Sequence, residues 1–226
     1  MLREHCTAQE YFREKWETDT HHHRSFHSTA HSYIARHGRG VWDEAYSFSF
    51  VRHPLARQVS NFFFLLNNCL ENKKRCEGDK NDRMIPIKNI SSSSSDKEKI
   101  DAFHEWMWNL YQAHPPGSPQ HYLFGSKGHG NEEYHTMNAT QTSWLVDETG
   151  QEIVVKNIFK LENMNEEIAR LSQEIPCLAK AGAAIEKNKT PKYPHYSRFA
   201  DNERTNRIMR EVYALDYSNF GYGLIL

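Results

Sequence analysis

The stretch Phe48-Ser49-Phe50-Val51-Arg52-His53-Pro54-Leu55-Ala56-Arg57-Gln58-Val59-Ser60 decides how the chain is read. Its first residues continue an alternating, β-rich run that begins at Tyr46, and this pattern predicts a buried strand over Tyr46–Val51. Arg52-His53-Pro54 ends the strand. Pro54 suits the first position of a helix, where its missing N–H is not needed. Val59, Phe62, Phe63, Leu65 and Leu66 make that helix strongly apolar. A strand feeding a helix in this way delivers Arg52 to the carboxyl end of a sheet, where α/β proteins bind ligands. Ser60 falls one to two turns into the helix, on a face that can look back toward Arg52. A guanidinium, a hydroxyl and free helix N–H groups together suit a phosphate dianion. The plainer reading makes Arg52 and Arg57 surface ion-pair partners and Ser60 a packing residue, and the residues alone weigh the two equally.

Outward from this segment, Ala30, Tyr33 and Ile34 recur at helical spacing, closed by Gly38 and Gly40. Residues 1–26 are polar and His-rich. Residues 72–99 are rich in Lys, Asp, Glu and Asn, include the run Ser91 to Ser95, and read as a mobile insertion within one domain over 27–226. Helix resumes with Ile100, Phe103, Met107, Leu110 and Tyr111. Trp144-Leu145-Val146 and Ile153-Val154-Val155 around Gly150 predict a hairpin, and Ile158 to Leu161 a short strand. Met164, Ile168, Leu171 and Ile175 give an amphipathic helix, and a last helix surrounds Ile208, Met209, Val212 and Tyr213. Strands alternating with helices make this an α/β chain.

Composition narrows the function classes. In 226 residues, 28 Lys plus Arg against 29 Asp plus Glu leave a net charge of −1, which argues against a global polycation that wraps nucleic acid and leaves room for a local basic groove. Hydrophobic residues make up only 38% of the chain, but 12% aromatic residues argue for a real core diluted by polar segments. No stretch approaches the roughly 20 apolar residues of a membrane span, and Met1 to Cys6 lack the apolar region of a signal peptide. Cys6, Cys69, Cys76 and Cys177 are too few for a disulfide scaffold. Cys69 and Cys76 flank a short polar loop and can pair or stay free.

The pattern R-x-P-x-x-R-x-x-S after a strand, at Arg52 to Ser60, resembles the 3′-phosphate-binding element of sulfotransferases that use 3′-phosphoadenosine 5′-phosphosulfate (PAPS). The likeness is to the carbohydrate sulfotransferase branch and its bacterial and algal relatives. It is carried further by the order of other pieces: His27-Ser28-Thr29-Ala30, Gln141 to Asp147, Phe159 to Asn163, Asn188-Lys189-Thr190, Tyr196-Ser197-Arg198 and Phe220-Gly221-Tyr222. The resemblance implies a P-loop-NTPase-like α/β fold with a central, partly parallel sheet flanked by helices. It implies sulfuryl transfer from PAPS, without a metal, to a hydroxyl of a carbohydrate, including an anionic polysaccharide. Arg52 and Ser60 would hold the 3′-phosphate, Asn188 and Lys189 would contact the nucleotide, and His27 would act as base, a role that suits imidazole near neutral pH. It also implies a Golgi lumen or membrane location, through an anchor this chain lacks.

Two departures qualify the likeness. His53 stands where the family usually has Asn, Asp or Glu, and Ala56 where it often has an acidic residue, both at positions that shape the turn. Nothing before Tyr46 resembles the family's first strand and Lys- and Gly-rich loop, which cradle the 5′-phosphosulfate. The expectation is a sheet missing its first strand, with the edge of Tyr46–Val51 exposed, and a chain that is a weak or dead catalyst by itself. Losing one preorganised donor costs about 3–4 kcal/mol of transition-state stabilisation.

Two other readings compete with this one. His23, His27 and His31 are spaced by four and on a continuous helix could bind Zn²⁺ or Ni²⁺, although no nearby carboxylate or Cys completes a ligand set. Residues 187–210 carry seven Lys or Arg against Asp201 and Glu203, which would suit an inactive glycan-binding module. An ordinary solvated helix explains that excess more simply.

Overall fold

Strand β1 (Phe48–Val51) lies parallel to β2 (Asn157–Lys160), with Phe48 opposite Asn157 and Val51 opposite Lys160, in a computed structural model that describes residues 29–71, 85–113, 139–175 and 193–223. Parallel neighbours need a long connection, and here it runs through helices, so the chain is α/β as its pattern predicts. Among the described residues the sheet has these two strands only. The strand is less buried than its sequence suggests. Val51 is enclosed, but Phe48 is 41% exposed, and Tyr46, just before the strand, is 42% exposed.

Helix α1 (Ala30–His37) starts because Thr29, in an extended conformation, accepts the Ser32 N–H on its hydroxyl at 3.2 Å. It stops at Gly38, whose φ of 91° suits a residue without a side chain. The chain then forms α2 (Arg39–Glu44), which buries Trp42 and ties its indole N–H to the Val154 carbonyl at 3.0 Å. Helix α3 (Pro54–Glu71) follows β1 with Leu55, Val59, Phe62, Leu66 and Cys69 along one buried stripe.

Residues 85–99 differ from the expected mobile insertion. A short α4 (Ile85–Lys88) buries Ile87, and α5 (Asp96–Ala113) begins within the polar run. Ser95 and Glu98 form a reciprocal cap there: the Ser95 N–H donates to Glu98 Oε2 at 2.6 Å, and the Glu98 N–H to Ser95 Oγ at 3.3 Å. Serine is a capping residue as readily as a linker residue, which composition alone does not reveal. Residues 72–84 of the expected insertion lie outside the described residues.

The predicted hairpin is present in short form, closed by the Asp147 N–H on the Glu152 carbonyl and the Val154 N–H on the Leu145 carbonyl, both at 2.9 Å. Thr142–Leu145 is a short helix, α6, and pairing is limited to one antiparallel bridge between Val146 and Ile153. The chain closes with α7 (Met164–Glu174), a turn of 3₁₀ helix at Tyr196–Phe199, α8 (Glu203–Glu211) and α9 (Ala214–Asn219).

Two apolar clusters hold these elements. The larger joins α3, α5 and α8 through Phe62, Phe103, Trp106, Phe199, Ile208 and Tyr213. Phe62 meets Phe103 at 5.6 Å and Phe103 meets Phe199 at 5.0 Å, both in the edge-to-face geometry that aromatic quadrupoles favour. The smaller packs Ile34, Trp42, Val51, Leu145, Val155 and Phe220 behind the strand. Cys69 is disulfide-bonded. The other three cysteines, Cys6, Cys76 and Cys177, lie outside the described residues. Among the described residues no helix is long and apolar enough to cross a membrane.

Candidate functional site

The site is built where β1 ends. Arg52 is the first residue past the strand, and its main chain is gripped by one side chain: its N–H donates to Gln141 Oε1 at 2.7 Å, and Gln141 Nε2 donates to its carbonyl at 2.8 Å. The guanidinium reaches toward Tyr193, with Nη2 3.3 Å from the phenol oxygen. Tyr193 in turn lies flat on Phe63 of α3, ring centroids 4.8 Å apart. Ser60 is half-buried about two turns into α3 and three residues before Phe63, so the two share a flank of the helix.

On the other side of the turn, the His53 N–H donates to Glu162 Oε1 at 2.7 Å, and Tyr222 donates its hydroxyl to Glu162 Oε2 at 2.8 Å. The His53 ring is 6% exposed and sits among Tyr196, Tyr217 and Tyr222, 4.6 to 5.5 Å between centroids. Burial therefore pushes the His53 pKa below the usual imidazole value, against the nearby Glu162 charge. Its Nδ1 meets no partner among the described residues. Burial likewise raises the Tyr222 pKa, and the contact with Glu162 adds to this.

Arg57 is not a surface ion-pair partner. Its guanidinium turns inward, donates to the Ala139 carbonyl, and is pulled below its ordinary pKa by burial while the neighbouring Tyr213 and Asp216 oppose that shift. It also lines a cavity of about 360 Å³ along β1, walled by Thr29, Tyr33, Trp42, Phe48 and Trp144. Arg52 and Ser60 do not line this cavity. His27, Asn188 and Lys189 lie outside the described residues.

Of the alternative sites, His31 hydrogen-bonds Thr29 Oγ1 at 2.9 Å, and no group of three or more metal-ligating side chains occurs among the described residues. His23 and His27 lie outside them. In the described part of the basic stretch every arginine is engaged. Arg198 pairs with Asp96, Arg207 with Glu211 and Arg210 with Glu203, and Arg204 lies over the Trp108 ring.

Comparison with known proteins decides the family. A family model described as "Sulfotransferase family" matches residues 3–223. The chain belongs to the sulfotransferase family. No curated protein and no solved structure matches it. Within this sulfotransferase, Gln141, Tyr193 and Glu162 are the site neighbours that sequence reasoning did not assign. Gln141 and Glu162 fall inside segments already singled out by resemblance, whereas Tyr193 carries no signal in the sequence.

Proposed function

We propose that this sulfotransferase moves a sulfuryl group from PAPS to a hydroxyl of a carbohydrate acceptor, an anionic polysaccharide included. The observation that carries the reading is Arg52 at the carboxyl end of a parallel strand, directly ahead of the eighteen-residue helix α3. A cation beside a helix N-terminus suits a phosphate dianion, and a 3′-phosphate separates PAPS from common adenine nucleotides. In this reading Arg52 and Ser60 hold the 3′-phosphate, and Asn188 and Lys189 contact the nucleotide. His27 takes the proton of the attacking hydroxyl. The acceptor oxygen bonds to sulfur as the bond from sulfur to the 5′-phosphate oxygen breaks, leaving a sulfate ester, adenosine 3′,5′-bisphosphate and one proton. The chemistry needs no metal. The Cys69 disulfide agrees with an oxidising compartment such as a secretory lumen.

Labelled sulfuryl transfer tests this. The chain is incubated with ³⁵S-labelled PAPS and a panel of neutral and anionic polysaccharides. Label on a glycan above the enzyme-free rate, lost in Arg52→Ala, supports the reading. Because the chain is expected to be a weak or dead catalyst by itself, the overturning result is failure to bind adenosine 3′,5′-bisphosphate at all.

A further inference from the structure

We infer that Gln141 is a positioning residue for the 3′-phosphate site, holding Arg52 so that its guanidinium projects in one direction; this rests on the PAPS reading above. The pairing of β1 with β2 ends at Val51 and Lys160. Past that point both main-chain groups of Arg52 need partners from elsewhere. A primary amide is the one side chain that offers a donor and an acceptor side by side. Gln141 presents both to the same residue, at 2.7 and 2.8 Å, and does so from a buried position. Two simultaneous bonds at residue 52 restrict its backbone torsions, and those torsions set where the side chain starts. Phosphate recognition by arginine depends on fork geometry, so it is sensitive to this starting direction.

Gln141 is itself fixed from behind. Its own N–H donates to Asp216 Oδ2 at 2.8 Å, and the adjacent Thr142 N–H donates to Asp216 Oδ1 at 2.7 Å. Asp216 is fully buried on α9. Arg57 holds the same loop two residues earlier, through the Ala139 carbonyl. The linkage therefore runs from a buried carboxylate on α9, through the first turn of α6 and the Gln141 amide, to the main chain of Arg52. Gln141 touches no nucleotide in this scheme; it acts through Arg52.

Calorimetric binding of adenosine 3′,5′-bisphosphate and of adenosine 5′-monophosphate to the whole chain tests the role, because a residue that merely stabilises the fold would not change the ratio of the two affinities. Gln141→Met keeps the length and removes both bonds. It is expected to weaken the bisphosphate about tenfold and leave the monophosphate within about twofold, with circular dichroism unchanged. Gln141→Glu keeps the acceptor for the Arg52 N–H and is expected to fall between. If the unaltered chain does not distinguish the two nucleotides, the PAPS reading fails and the inference falls with it. If it does, and Arg52→Ala erases the difference while both Gln141 variants keep it, the inference alone is overturned. Hydrogen exchange at the Arg52 amide needs no variant: protection is expected, and exchange as fast as an open loop overturns the inference.

Discussion

Glu162 accepts the main-chain N–H of His53 on one carboxylate oxygen at 2.7 Å, one residue after the Arg52 main chain that Gln141 grips. Its second oxygen takes the Tyr222 hydroxyl, so one side chain ties the strand end to the C-terminal aromatic segment. The turn that presents Arg52 is thus clamped at two consecutive residues.

Removing that clamp has a predictable cost. Glu162→Ala leaves the His53 N–H and the Tyr222 hydroxyl without their acceptor and is expected to lower stability by about 2 kcal/mol, while Glu162→Gln, which keeps one acceptor oxygen, loses about 1 kcal/mol. Urea unfolding with an unchanged m value measures both. Equal midpoints for the alanine variant and the parent chain would contradict the clamp.

His104 makes stability depend on pH. Its Nδ1 lies 2.7 Å from the buried Thr205 hydroxyl, and burial pushes its pKa down to about 4. The unfolded chain, with imidazole near 6.5, binds the proton first. Stability attributable to this residue is therefore complete above about pH 6.5 and is lost as pH falls toward 4. With the partial exposure of the ring discounted, the loss is on the order of 1–2 kcal/mol. His104→Asn should flatten the difference in unfolding free energy between pH 6.5 and 5, a window in which few carboxylates titrate. An unchanged slope would show that the ring is protonated without penalty.

Much of the framework was legible because its signals are local. The strand-to-helix segment at 48–60, the amphipathic spacing of Met164 to Leu171 and the apolar stripe of α3 each announce an element within a few residues. The family was legible from the same segment and from the order of weaker pieces. What escaped was long-range or ambiguous in composition. Ser95 and Glu98 cap a helix from within a run that reads as linker. Gln141 and Arg52 are 89 positions apart and Arg52 and Tyr193 are 141 apart, distances over which neither periodicity nor spacing speaks. Arg57, so near Arg52 in sequence, turns inward to a carbonyl and the cavity wall, because it lies in the first turn of α3 while Arg52 lies in the strand-to-helix turn before it.

The disulfide at Cys69 anchors the far end of α3, one turn past Leu66 in the buried stripe. Reduction, or Cys69→Ser, is expected to cost about 2–4 kcal/mol of stability. Thermal unfolding with and without a phosphine reductant checks this, and peptide mapping under non-reducing conditions identifies the partner cysteine. Identical melting curves would contradict a structural role.

The central question is whether Arg52 reads a ribose phosphate. Calorimetry with adenosine 3′,5′-bisphosphate and adenosine 5′-monophosphate, on the parent chain and on Arg52→Ala, tests it most directly. The bisphosphate is predicted to bind at least about tenfold more tightly than the monophosphate, consistent with charge-assisted bonds of about 1.5–3 kcal/mol, and Arg52→Ala to erase that preference without unfolding the chain. Equal affinity for the two nucleotides in the parent chain, or a preference that survives in Arg52→Ala, would contradict it.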